Sequence, residues 1–236
     1  MDWRYNTIWF DQIKEEERVT WHYDKKNRGP LQLSDQRYLT TWYYKMKGEL
    51  SFESLPESDK LLYLELNSSN VIDFRAIGKF PALKRLEVHY CLKLQNDTGI
   101  SALKNSIEML HIEQAKKLNS VHEISQLSGL KVLCLNSCGP LTSIQFIREL
   151  PQLVDFRFVD TNILDGDLTP IIEHPTLRSA GFLNKRHYNY LREKIDKILA
   201  AKDAPENKDF AYKGEYQTFK YKEMDNIITF KNGKIG

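Results

Sequence analysis

Cysteine is scarce in these 236 residues: Cys91, Cys134 and Cys138 are the whole complement. Three thiols in a chain of this length do not make a disulfide framework. A charge of one sign is lacking too. Lys and Arg number 34 against 32 Asp and Glu, a net of +2, too small a field to draw nucleic acid or an anionic bilayer. No run approaches the ~18 apolar residues of a spanning helix. The opening Met1-Asp-Trp-Arg-Tyr-Asn6 has no apolar stretch after its charges, which argues against a secretory signal. The signatures of catalysis are missing as well: there is no G-x-S-x-G, no H-E-x-x-H, no phosphate-cradling G-x-x-x-x-G-K-[ST] and no dinucleotide glycine motif. With 41% hydrophobic and 28% charged residues the composition is that of an ordinary soluble domain. The expectation is a cytoplasmic protein that uses no cofactor and binds neither nucleic acid nor membrane.

What the chain has in quantity is one apolar phrase. It reads Leu61-Leu64-Leu66, Leu83-Leu86-Val88, Ile107-Leu110-Ile112, Leu130-Leu133-Leu135, Leu153-Phe156-Phe158 and Leu177-Ala180-Phe182, at spacings of 22, 24, 23, 23 and 24 residues. An apolar residue follows eleven positions after each of the first five starts: Ile72, Leu94, Leu118, Leu141 and Leu164. Each copy predicts a short strand on its second and third apolar positions, with period-two alternation sending those side chains inward and their neighbours outward. The ninth position holds Ser69, Cys91, Ala115, Cys138 and Thr161, small residues for a tight corner where a thiol or hydroxyl reaches the backbone. Pro81, Pro151 and Pro175 stand two residues before the next leading apolar position, and Gly129 one before its own, placing turn chemistry in register. Segments such as Ile144–Leu150 have helical spacing but are too short for long helices.

The phrase and its period resemble the leucine-rich repeat proteins, over about half the chain. The resemblance implies an α/β solenoid with a parallel sheet on its concave face, short helices or turns on the convex face, and a cap at each end. Residues 58–184 are then about six repeats and residues 1–57 an aromatic-rich N-terminal cap carrying Trp3, Trp9, Trp21 and Trp42. Within that cap Arg18–Tyr23 has strand composition, residues 24–30 read as a turn toward a second strand near Leu31–Leu33, and the segment through Tyr44 is helix or extended. Residues 185–204 form a capping helix with Tyr188, Leu191, Ile195, Ile198 and Leu199 on one stripe, and residues 205–236 form a tail of strand or hairpin. The ending Phe182-Leu-Asn-Lys-Arg-His-Tyr-Asn189 is similar to endings of small bacterial repeat proteins encoded beside secreted toxins. That resemblance implies an immunity role: binding and neutralising a cognate toxin.

The outward positions vary where the inward ones are monotonous. Tyr63, Glu65, Arg85, Glu87, His89, Tyr90, Met109, His111, Glu113, Asp155 and Arg157 mix charge with Tyr, His and Met, the composition of a protein interface. They are the expected partner-binding set. Arg85, His89, Tyr90 and Met109 serve as anchors, and Glu87, Glu113, Asp155 and Arg157 set electrostatic register. His89 and His111 fall on adjacent strands with Glu87 and Glu113 nearby, a set that can bind a metal or exchange protons. The preferred reading is nonetheless a polar recognition surface without metal or catalytic residues. Alternatives are an adaptor with several partners and, least favoured, an enzyme using His89 and His111. Cys91 and Cys138 lie two strand spacings apart, about 9–10 Å, beyond disulfide reach. Cys134 is at an outward position where its thiol could be accessible.

Overall fold

The computed structural model describes residues 14–23, 31–202, 230–231 and 234–235. Eight strands run in chain order through one parallel sheet: β1 (Arg18–His22), β2 (Tyr38–Trp42), β3 (Tyr63–Asn67), β4 (Arg85–His89), β5 (Met109–Glu113), β6 (Val132–Asn136), β7 (Asp155–Arg157) and β8 (Ser179–Gly181). The register is unslipped where the phrase predicts it. Leu64, Leu86, Leu110, Leu133, Phe156 and Ala180 are successive partners along one row, and Leu66, Val88, Ile112 and Leu135 along another. All of these side chains are buried. Burying each large aliphatic member contributes about 1.5–3 kcal/mol. A one-residue slip would turn the whole apolar set toward the other face.

The sheet begins earlier than the phrase does. β1 and β2 lie in the segment expected as a cap, and they continue the parallel ladder into β3. Their inward residues are Val19 and Trp21, then Leu39 and Thr41. Thr41 fills a leucine position, and its hydroxyl donates to the Glu65 carbonyl at 3.3 Å. The second strand is therefore Tyr38–Trp42; Leu31 and Leu33 are buried without belonging to a strand. Trp3 and Trp9, with the 24–30 turn, lie outside the described residues.

Between strands the chain returns in single turns: 3-10 turns at Ile77–Lys79, Ile100–Leu103, Ile124–Gln126 and Gln145–Glu149, and a one-turn helix α1 at Thr169–Glu173. Each sends one isoleucine into the core: Ile77, Ile100, Ile124, Ile147 and Ile171. A repeat this short leaves no residues for a longer helix. Eleven residues after the start of the copy, Leu94, Leu118 and Leu141 are buried, whereas in two copies the preceding residue, Val71 or Ile163, faces inward instead. Ile72 is then half-buried and Leu164 exposed.

Each of β2–β7 is followed, at once or within three residues, by a residue with positive φ: Tyr43, Ser68, Tyr90, Gln114, Ser137 and Asp160. The left-handed residue turns the chain out of the ladder, and in the first five the N–H still donates to the neighbouring repeat, for example Tyr90 N to Glu113 O at 3.0 Å. The corner residues then do as their chemistry predicts. The Cys91 thiol donates to His89 O, and the Cys138 thiol to Asn136 O, each at 3.5 Å. The Thr161 hydroxyl donates to Leu135 O at 2.6 Å and accepts from Cys138 N at 2.9 Å. All three cysteines are buried and none is in a disulfide. Burial pushes the Cys91 and Cys138 thiols up to about 12, so neither is a nucleophile at neutral pH.

At the far end helix α2 spans Arg192–Ala200 and buries Ile195 and Leu199. It starts later than the sequence stripe suggests, because Tyr188 is used differently: its hydroxyl accepts from Ile163 N at 3.2 Å. Leu191, expected on the buried stripe, is exposed, and Ile198 is half-buried. The Asn189 side chain accepts from Leu168 N at 2.9 Å. Much of the 182–189 ending thus closes the last repeat. In the tail, Phe230–Lys231 pairs antiparallel with Lys234–Ile235; the rest of the 205–236 segment lies outside the described residues.

Candidate functional site

Three rows of side chains rise from the outward face of the sheet. The first runs Tyr38, Tyr63, Arg85, Met109, Val132, Asp155; the second Thr40, Glu65, Glu87, His111, Cys134, Arg157; the third Trp42, Asn67, His89, Glu113, Asn136. Strand spacing of about 4.8 Å brings rows and rungs into contact. The Tyr38 and Tyr63 rings stack with centroids 4.5 Å apart, and the Arg85 guanidinium lies 5.4 Å from the Tyr63 centroid.

Glu87 is the hub. Its Oε1 receives Arg85 Nε at 2.9 Å and a second guanidinium N–H at 2.8 Å, with the Tyr63 hydroxyl at 2.9 Å. That hydroxyl also lies 2.7 Å from Glu65 Oε2, so its one proton serves two carboxylates. Asn67 donates to Glu65 Oε1 at 3.0 Å. Glu87 Oε2 turns the other way, to His89 Nε2 at 2.8 Å and toward His111 Nδ1 at 3.8 Å. Glu113 Oε2 faces the opposite nitrogens of the same two rings, His89 Nδ1 at 3.2 Å and His111 Nε2 at 3.7 Å. The imidazoles meet edge to face with centroids 4.8 Å apart.

Glu87 is 0% exposed, Arg85 1% and His111 2%. Burial holds His111 below its ordinary value, the Glu87 carboxylate opposing, so it is neutral at pH 7. Glu113 is held below its ordinary value by its hydrogen bond from His89. Burial, then the Glu87 charge, pushes the Tyr63 phenol well above its usual range. Neither ring nitrogen of His111 has a hydrogen-bond partner; at 3.7 and 3.8 Å the two carboxylates are out of reach.

No family model matches the chain. Among solved structures an internalin from Listeria monocytogenes resembles it at 16% identity, covering 72% of this chain and 67% of that one with a TM-score of 0.31. The architecture is decided by the ladder itself: eight parallel rungs, inward aliphatic rows and a left-handed corner between them. The fold is a leucine-rich repeat solenoid.

Within this solenoid the sheet brings nearly all of the expected partner-binding residues together. Tyr63, Glu65, Arg85, Glu87, His89 and His111 join in the network around Glu87, and Glu113 flanks it. Met109 packs with Val132 and Cys134 in a small apolar cluster. Cys134 is therefore buried and not the accessible thiol that its outward position suggested. Asp155 pairs with Arg157 Nε at 2.9 Å on β7. Exposure divides the set. Tyr63, Glu65, Arg85, Glu87, His89, Met109, His111 and Asp155 are buried; Glu113 and Arg157 are half-buried; Tyr90 is exposed. The expected partner-binding set left out Asn67, although it holds an outward position on β3, and Tyr38, whose period-two place on β2 was the available signal. It also missed Tyr43, which shares with Tyr90 a left-handed backbone and an exposed ring.

Among the described residues no helix is long and apolar enough to cross a membrane.

Proposed function

We propose that this solenoid is a non-catalytic protein-binding module and that its partner docks along the strand-end rim of the concave sheet. The supporting observation is the pair Tyr43 and Tyr90, 52% and 53% exposed, each with positive φ at the corner of its rung. A left-handed backbone at a bulky residue costs about 1–2 kcal/mol, and a tyrosine so placed presents a large amphipathic ring at small entropic cost. Leu92 adds exposed apolar area beside Tyr90. Glu113 and Arg157 are the members of the concave set that keep enough exposure to set charge register. The buried members hold the surface rigid beneath them. A preformed surface loses little freedom on binding.

Within that reading we favour a cytoplasmic inhibitor of the immunity type, which neutralises a cognate toxin by occluding it. The similarity of residues 182–189 to the endings of toxin-linked repeat proteins supports it. The test is affinity capture from the native proteome with the parent chain and with the Tyr43→Ala/Tyr90→Ala double variant. One stoichiometric partner, lost in the variant, is expected. Several weak partners would indicate an adaptor instead, and capture undiminished in the variant would refute rim binding.

A further inference from the structure

We propose that Glu87, His89 and His111 form a binding site for one divalent transition-metal ion of the zinc class. The three side chains are buried, and one ligand atom from each lies within 4.8 Å of the others. They come from adjacent rungs: His111 is the register partner of Glu87, and His89 sits two residues along β4.

The atoms suit an ion of this size. Zinc bonds imidazole nitrogen and carboxylate oxygen at about 2.0–2.2 Å, which puts tetrahedral ligand atoms about 3.3–3.5 Å apart. Glu87 Oε2 lies 2.8 Å from His89 Nε2 and 3.8 Å from His111 Nδ1, so the observed separations bracket that value. Two imidazoles and a carboxylate select zinc, cobalt or nickel over magnesium and calcium, which take oxygen ligands.

The surroundings are arranged as such a site needs. Metal-bound imidazole hands its other N–H to an acceptor, and ligating carboxylates are themselves hydrogen-bonded. Glu113 Oε2 stands opposite the distal nitrogens of both rings, at 3.2 and 3.7 Å. Arg85 and Tyr63 take Glu87 Oε1, which leaves Oε2 directed at the imidazoles. The independent observation is His111. It is buried among these groups with both ring nitrogens lacking a hydrogen-bond partner; coordination through Nδ1 would satisfy one, and a small closing of the 3.7 Å gap to Glu113 would let Nε2 donate there. Three protein ligands leave the fourth position for water or for a donor group brought by a partner.

The experiment uses the full chain, stripped with a chelator and exchanged into metal-free buffer. Titration calorimetry with zinc chloride, unfolding temperature with and without zinc, and the visible spectrum with cobalt are measured. One ion per chain is expected, with a rise in unfolding temperature, the intense visible bands of low-coordinate cobalt, and no response to magnesium. His111→Ala should abolish all three signals, while His122→Ala, at an exposed histidine elsewhere, should leave them unchanged. Should His111→Ala fail to fold, Glu113→Gln at the half-exposed flank decides: affinity should fall about 10- to 100-fold. No stoichiometric ion in the folded parent, or affinity unchanged in both His111→Ala and Glu113→Gln, would overturn the proposal. These readouts need no protein partner, so they stand or fall apart from the rim-binding reading.

Discussion

Replacing Thr161 by valine should cost more stability than replacing it by serine, although valine keeps the shape and serine does not. Thr161 is 1% exposed. Its hydroxyl donates to the Leu135 carbonyl at 2.6 Å and accepts the Cys138 N–H at 2.9 Å, so one oxygen ties two consecutive repeats. The β6–β7 register ends at Cys134 and Arg157, one residue short of Leu135, and the hydroxyl serves that carbonyl beyond the end of the ladder. Valine would leave a buried donor and a buried acceptor facing a methyl group. Stranding such groups costs about 1–3 kcal/mol each, so about 2–6 kcal/mol is expected for Thr161→Val. Serine keeps both hydrogen bonds and loses one methyl, about 1 kcal/mol. In a domain of this size each kcal/mol moves the melting temperature by about 2–4 °C, which makes the valine variant lower by about 4–24 °C and the serine variant by a few degrees. Urea unfolding followed by fluorescence, alongside calorimetric melting, would measure both. Equal m-values are required for the comparison. A valine variant as stable as the serine one would show that the corner hydroxyl does not couple these repeats.

Three further perturbations probe other features. Tyr90→Gly should leave stability unchanged or raise it by up to about 1 kcal/mol, because relief of the left-handed backbone outweighs the entropy of glycine. The same change should weaken partner binding about 30-fold, as loss of a hot-spot side chain does; unchanged affinity by calorimetry would remove Tyr90 from the interface. Gly99→Ala should destabilise by about 2 kcal/mol or more: φ is +95° there and an added Cβ would stand 2.6 Å from the Phe74 carbonyl oxygen. An unshifted urea midpoint would contradict that close approach. The third concerns acid. His174 donates from Nε2 to Ile147 O at 3.0 Å and its Nδ1 accepts from Thr176 N at 3.3 Å, which requires the neutral ring. Burial, with Lys202 and Arg148 nearby, holds it below its ordinary value of 6.5. The unfolded chain then binds the extra proton first. Stability is therefore full above about pH 6.5 and falls as pH drops from there toward the lower folded value. A melting curve whose slope over that window is the same in His174→Gln as in the parent would assign the effect elsewhere.

The inward rows were legible because aliphatic side chains at period two and a fixed repeat leave one register. That is why Leu86, Leu110 and Leu133 could be placed as adjacent rungs from their spacing. The first two strands were less legible for a chemical reason. Trp21 and Thr41 occupy leucine positions, and Thr41 is tolerated inside only because its hydroxyl finds the Glu65 carbonyl. The start of α2 was misplaced because Tyr188 has a helical residue's spacing but serves as a plug between repeats. The outward residues could be assigned to a face but not to their degree of burial. Alternation tells which way Glu87 points, whereas its accessibility depends on Tyr63, Arg85 and His89 converging on one carboxylate from two strands. No local pattern encodes that convergence.

The corner contacts join each rung to its neighbour: Cys138 satisfies itself on backbone from the same repeat and the one before, and its own N–H is satisfied by Thr161 from the one after. A unit built this way is incomplete alone and interchangeable in the middle of the stack. Lengthening or shortening such a chain by a whole 23-residue module leaves every junction chemically like the ones already there. Only the two ends, where no neighbour supplies the missing partner, must be made from different residues. Variation in reach can thus arise by duplication, while any alteration at either terminus has to reinvent its own closure.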